Sequence, residues 1–293
     1  MLGRINERVI AALSRNHFPY FDYPGDPRPR YGYGRPAHPQ LDAIIRSNAA
    51  AYAQQLTQFL TLRECLEKIP LHAQAPESVE PCWMNGWLPG LDAAALYGMV
   101  ASHRPSRYVE IGSGNSTKFV RRAIKEHDLS TTITSLDPMP RAEIDMICDR
   151  VLRKGVETVD LAIFDELQAG DMLFVDNSHR VFMNSDAAVI FLEVLPRLKP
   201  GVMVHFHDIM LPLDYPPEWS HRYYSEQYVL AAYLLSGHPN FEILLPNFFV
   251  HNEPKLRKIL LPLWQSVGVP ESATGGGSFW IRTREPIGYS GVQ

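Results

Sequence analysis

Val109-Glu110-Ile111-Gly112-Ser113-Gly114-Asn115-Ser116-Thr117 is the stretch on which the fold turns. A short apolar run breaks at Gly112-x-Gly114 and gives way to residues of helical spacing, the pattern of a strand that turns tightly into a helix. Outward from it, short β-rich runs alternate with helical stretches, the signature of a parallel sheet built from right-handed βαβ units. Strands are predicted over residues 108–111, 132–136, weakly 156–159, 172–175, 202–207, 241–245 and 279–281. Helices are predicted over 118–126, 142–153, 186–198 and 226–236. The run Gly275-Gly276-Gly277 suits a hairpin that adds an antiparallel last strand. The fold class is therefore α/β, a mostly parallel sheet with helices on both faces.

The chain has 293 residues, 45% of them hydrophobic and 20% charged, with a formal net charge of −4. That composition belongs to a globular protein and offers no basic footprint for nucleic acid. Cys65, Cys82 and Cys148 are scattered and odd in number, so neither a disulfide framework nor a zinc knuckle is expected. No segment is apolar enough for a membrane span or a secretory signal, and a cytoplasmic location fits best. Residues 18–39 are rich in Tyr, Pro and Gly, and apolar residues from Leu41 to Leu60 recur at helical spacing. The expected organisation is an N-terminal extension over 1–87, serving as a lid or an oligomer contact, and one domain over 88–293.

A strand that ends in Gly112-x-Gly114 presents backbone N–H groups and a helix N-terminus to whatever lies above the sheet edge. The dinucleotide fingerprint would need glycine at position 117, where the chain has Thr117. Glu110 disfavours a pyrophosphate and suits a ligand that carries an ammonium group. Asp137 closes the next strand, where an acid can accept both hydrogen bonds of a ribose diol. S-adenosylmethionine combines ammonium, carboxylate and ribose, and its carboxylate could be received by the loop amides with the hydroxyls of Ser116 and Thr117.

The segments LPGLDAAALYGMV, RYVEIGSGNST, TSLDP, GDMLFVDNSH and KPGVMVHFHDI together resemble the class I methyltransferases, more narrowly the methyltransferase 24 family. The resemblance implies a Rossmann-like, seven-stranded sheet over residues 88–283 with S-adenosylmethionine across the ends of its first two strands. It also implies cofactor contacts at Glu110, Gly112, Ser113, Gly114, Ser116 and Asp137. The implied reaction is methyl transfer from S-adenosylmethionine, here to a small-molecule hydroxyl. Two rivals stand beside it: a non-catalytic nucleoside-binding or scaffold protein, and an NAD-dependent oxidoreductase using the same loop.

The fourth predicted strand ends in Asp176-Asn177-Ser178-His179 and the fifth in His205-Phe206-His207-Asp208, so two acid and histidine pairs emerge at one sheet edge. Two chemistries suit them. Asp176, His207 and Asp208 could hold a divalent cation, Mg or Mn, that lowers the pKa of an acceptor hydroxyl. This arrangement is similar to metal-dependent O-methyltransferases, from which it departs at Ile209, where an amide ligand would fall. Alternatively His179 or His207, with Asp176, takes the hydroxyl proton as a general base without metal. The loop after Asp208 carries Trp219, Tyr223 and Tyr224 and is read as a lid over the acceptor, or as the contact surface of a homo-oligomer.

Overall fold

The computed structural model describes residues 25–75, 77–140, 142–237 and 240–285. The first part of the Tyr/Pro-rich segment, residues 18–24, falls outside them. Seven strands form one sheet: β1 (Arg107–Ile111), β2 (Thr132–Leu136), β3 (Arg150–Leu152), β4 (Met172–Val175), β5 (Met203–Phe206), β6 (Phe241–Pro246) and β7 (Phe279–Thr283). Their order is β3-β2-β1-β4-β5-β7-β6. All neighbours run parallel except β7, which is antiparallel to both β5 and β6. Every residue of β4 and β5 is buried, as expected of central strands covered on both faces; β4 is apolar throughout and β5 is interrupted only by His205.

Five longer helices matter for the site: α1 (Pro39–Arg46), α2 (Ala49–Leu60), α3 (Gly90–His103), α4 (Asn115–Glu126) and α5 (Glu226–Leu235). Helix α3 is buried from Gly90 to Ala101, so it is apolar nearly all round and lies inside the molecule. Gly98 makes that packing close, since a Cβ there would stand 2.3 Å from the Phe59 ring of α2. Tyr52, Leu56 and Phe59 of α2 belong to the same hydrophobic cluster as the sheet. Each such buried side chain contributes about 1.5–3 kcal/mol.

Four predicted features come out differently. Residues 142–153 do not form a helix: Asp145–Ile147 is a 3-10 turn and Arg150–Leu152 is the third strand. Ile144, Ile147 and Val151 mimic a helical stripe, but pairing of Thr134 with Arg150 and Leu136 with Leu152 outweighs it. The strand expected at 156–159 is instead a 3-10 turn over Val156–Thr158. The antiparallel last strand is present, yet it is not one arm of a hairpin. Helices fill the connection from β6 to β7, and the triple glycine packs on α3 instead, with Leu91 N donating to Gly275 O at 3.0 Å. The helix at Asp186 passes through a π turn at Ile190–Val194 into a 3-10 turn at Leu195–Arg197, where Pro196 removes a donor.

Sheet register sets the site. Leu136 pairs with Ile111, Ile111 with Val175 and Val175 with Phe206. The residues immediately beyond, Asp137, Gly112, Asp176 and His207, therefore stand in one row along the carboxyl edge of β2, β1, β4 and β5.

Candidate active site

Above that row opens a cleft of about 810 Å³. Gly112, Ser113, Gly114, Ser116 and Asp137 line one part of it, and Asp176, His179, His207 and Asp208 another. The two groups of residues singled out in the sequence thus share one cavity.

Gly112 has φ +79°, and a Cβ on it would lie 1.8 Å from the carbonyl oxygen of Asp176. Only glycine fits where the end of β1 passes the end of β4. Gly114, at the start of α4, has nothing within 4 Å of a built Cβ, so the space above it is open to the cleft. The loop is held from below. Thr117 Oγ1 accepts from Gly114 N at 3.1 Å and donates to Glu110. Ser113 Oγ bonds Ser135 Oγ at 2.7 Å, and Ser113 N donates to Asp137 Oδ2 at 2.8 Å. The other oxygen of Asp137 accepts from Met139 N at 2.7 Å, which fixes a partly open carboxylate at the rim.

Glu110 stands apart from its neighbours in the motif. It is fully buried and does not line the cleft. Burial pushes its carboxyl up to about 7, and the hydroxyls of Ser116, Thr117 and Tyr108 offset this only in part. In this structure Glu110 supports the loop from beneath.

The second group forms a closed set of contacts. His179 sits at φ +59° and Asp208 at φ +54°, left-handed conformations that cost a side-chain-bearing residue energy and cluster at functional sites. His179 Nδ1 meets Glu226 Oε2 at 2.9 Å, while its Nε2 lies 3.2 Å from Asp176 Oδ1 and 3.6 Å from Asp208 Oδ2. His207 repeats the scheme. Its Nε2 is 3.4 Å from Asp92 Oδ2, and its Nδ1 lies 3.6 Å from Asp176 Oδ1 and 3.5 Å from Asp208 Oδ1. Burial works against charge on both rings, but carboxylates on either side prevail. Asp176 and Glu226 raise His179 to about 10, and Asp176, Asp208 and Asp92 hold His207 well above its ordinary value. Burial alone would raise Asp176, yet His207 and His179 hold it well below the usual carboxylate range. Its side chain keeps 37% of its surface open to the cleft. Asp176 is the most exposed member of the cluster, with Asp208 next at 19%.

Among the described residues, no group of three or more His, Cys, Asp or Glu is arranged to hold a metal ion. Asp176, His207 and Asp208, the trio expected to do so, are matched acid to imidazole instead.

Two members of the cluster were not singled out in the sequence. Asp92, fully buried in α3, accepts from Asn247 Nδ2, Gly277 N and Ser278 N at 2.7, 2.8 and 2.9 Å besides facing His207. Its signal was a lone acid in the otherwise apolar run LDAAALYGMV. Glu226, at the start of α5, had no such mark. His205, by contrast, is a core residue: its ring stacks on Phe174 at 3.9 Å, Nε2 bonds Ser278 Oγ at 2.7 Å, and burial lowers it to about 3.

The loop after β5 covers the cleft. Trp219, Arg222 and Tyr224 line it, whereas Tyr223 does not. Behind the loop, Arg30 N and Tyr31 N donate to Asp214 Oδ2 at 2.6 and 2.9 Å, which ties the N-terminal segment to it.

Residues 109–209 match the family model described as a methyltransferase domain. No curated protein matches the chain. Solved structures with a similar course of chain include the SAH-bound methyltransferase of Podospora anserina, with 18% identity and a TM-score of 0.41 over 66% of this chain and 78% of that one. Another is the O-methyltransferase of Bacillus cereus in complex with SAH, with 16% identity and a TM-score of 0.39 over 86% and 94%. These likenesses are distant, and the weight rests on the family match together with the strand-end loop and the sheet order. Among the described residues no helix is long and apolar enough to cross a membrane. Residues 109–209 thus match the methyltransferase domain of the methyltransferase 24 family, and the enzyme class is that of an S-adenosylmethionine-dependent methyltransferase.

Proposed function

We propose that the cleft binds S-adenosylmethionine over Gly112, Ser113, Gly114 and Ser116, with its ribose on Asp137, and that the methyl group passes to a hydroxyl of a small molecule beside Asp176. The observation that carries this reading is the row of strand ends, which sets the cofactor residues and the acid–histidine cluster in one cavity. The cofactor supplies an electrophilic methyl group on a sulfonium. The chain's own residues hold the hydroxyl oxygen in line with it, and alignment of this kind contributes most of the rate.

Asp176 accepts the hydrogen bond of the hydroxyl and turns its oxygen toward the methyl group, and the proton leaves to solvent as the new C–O bond forms. His179 and His207, each held by a second carboxylate, present positive charge to the oxygen as negative charge develops there. Neither ring stands free as a general base, which favours this division of roles over a lone histidine. A divalent cation at Asp176, His207 and Asp208 is not part of the reading, because Asp176 and Asp208 already face the imidazoles of His179 and His207 at 3.2–3.6 Å.

The N-terminal division at residue 87 and the lid belong to the same proposal. Segment 30–33 braces the loop 209–224 over the acceptor. Radiolabelled S-adenosylmethionine offered with a panel of small phenols, sugars and amines tests the reading. Label in a methyl ether formed from a hydroxyl compound, lost in Asp176→Asn, supports it; label only in amines contradicts the hydroxyl assignment.

A further inference from the structure

Beyond the cluster, the cleft wall carries two cations the proposed reaction does not use. Arg180 follows His179 directly, and Arg222 lies in the loop that covers the cleft; both line it. Their contacts are with backbone and aromatic rings. Arg180 Nε donates to Arg222 O at 2.8 Å, and Arg222 Nη1 to Tyr224 OH at 3.3 Å. The Arg222 guanidinium lies 4.5 Å from the centre of the Trp219 ring and 5.5 Å from that of Tyr224, and Arg180 lies 6.0 Å from Tyr224. Among the described residues neither guanidinium is paired with a carboxylate, although Asp186 lines the same cleft. The Asp186 oxygens are taken by Ser178 N, Ser178 Oγ and Ala187 N at 2.8, 2.6 and 2.7 Å.

Arginine stacked on aromatic faces keeps its N–H fork free and oriented, the arrangement that receives a planar or tetrahedral oxyanion. Distance adds a second constraint. The Tyr224 ring lies 4.7 Å from the His179 ring, so the guanidiniums stand about one aromatic ring away from the acid–histidine cluster.

We infer that the methyl acceptor is an anion: it carries a carboxylate or phosphate about one ring's width from the hydroxyl, received by Arg180 and Arg222, with its body against Trp219 and Tyr224. The inference rests on the reading of the cleft as a methyltransferase site. It narrows the acceptor from any small hydroxyl compound to one with a fixed negative charge.

The test uses full-length protein loaded with S-adenosylhomocysteine and three probes of one shape: 4-hydroxybenzoate, 4-hydroxyphenyl phosphate and the neutral 4-hydroxybenzamide. Binding is followed by ligand-observed NMR. Either anionic probe should bind about tenfold more tightly than the amide, the scale of a charge-assisted contact, and the better of the two names the anion. Arg222→Gln and Arg180→Gln should remove that preference while S-adenosylhomocysteine affinity stays unchanged, and Arg222→Lys should restore part of it. Equal binding of the amide overturns the inference. So does a loss of S-adenosylhomocysteine affinity in the arginine variants, which would assign the guanidiniums to the cofactor's own carboxylate. If the wild type fails to bind S-adenosylhomocysteine, the underlying reading falls and this inference with it.

Discussion

A methyl group on Gly112 would lie 1.8 Å from the carbonyl oxygen of Asp176, and its φ of +79° already lies where side chains are strained. Gly112→Ala therefore forces β1 and β4 apart at the floor of the cleft, and the expected result is loss of S-adenosylhomocysteine binding with a stability cost of about 1–3 kcal/mol. Calorimetry and thermal melting measure both. Gly114→Ala, with open space at its Cβ, should melt at nearly the wild-type temperature, so the pair separates steric from general effects.

His179 and His207 both carry the pH dependence. The folded value of His179, about 10, lies above the ordinary 6.5, so between these values the folded state holds a proton that the unfolded state has lost. The stabilisation is complete below pH 6.5 and is lost as pH rises through that window. Melting temperature should fall from about pH 7 to pH 10 in the wild type and fall less in His179→Gln. For the same reason methyl transfer should show no rise between about pH 6 and pH 8, where a free histidine base would give one. An inflection near the ordinary imidazole value would contradict the reading in which both rings stay protonated through this range. Activity should also survive EDTA treatment followed by dialysis.

At the scale of elements, α3 is the pin of the site. One buried carboxylate, Asp92, ties this helix to the turn before β7, to Asn247 and to His207 on β5. Asp92→Ala leaves two backbone donors, an amide and an imidazole without their acceptor, and the expected loss is about 3–5 kcal/mol, read by denaturant unfolding. Asp92→Asn, which keeps the shape and removes the charge, should retain more stability while altering the pH profile through His207.

Elements also show how far the sequence could be read. The central strands and the glycine loop were legible, because β4 is a continuous apolar run, β5 is one broken only by His205, and Gly112 has a local, steric reason. The third strand was not: Ile144, Ile147 and Val151 satisfy a helical spacing, and only pairing with β2 overrides it. Asp137, Asp176, His179, His207 and Asp208 could be placed at one edge because each follows an apolar strand closely. Glu110 could not be placed above or below the loop, since that depends on how Thr117 and Tyr108 close around it. Glu226, at the start of α5, and Arg222, in the loop before it, join the site through tertiary contacts that no local pattern encodes.

Over the whole molecule, the helices of residues 39–60 share one hydrophobic cluster with the sheet, and the segment before them braces the loop above the cleft. Asp214 is the joint, accepting from Arg30 N and Tyr31 N while its carbonyl accepts from Tyr33 OH at 3.2 Å. Asp214→Ala should release both partners. Limited proteolysis should then cut near residues 25–35 and in the loop 209–224 sooner than in the wild type, with the core fragment intact.

If the strand-end row of Gly112 and Asp137 holds S-adenosylmethionine, isothermal titration of the full-length protein with S-adenosylhomocysteine and NADH shows it. One site for S-adenosylhomocysteine is expected, weakened at least about tenfold in Asp137→Ala by loss of the ribose hydrogen bonds, with no heat from NADH. Tight binding of NADH with none of S-adenosylhomocysteine would contradict it.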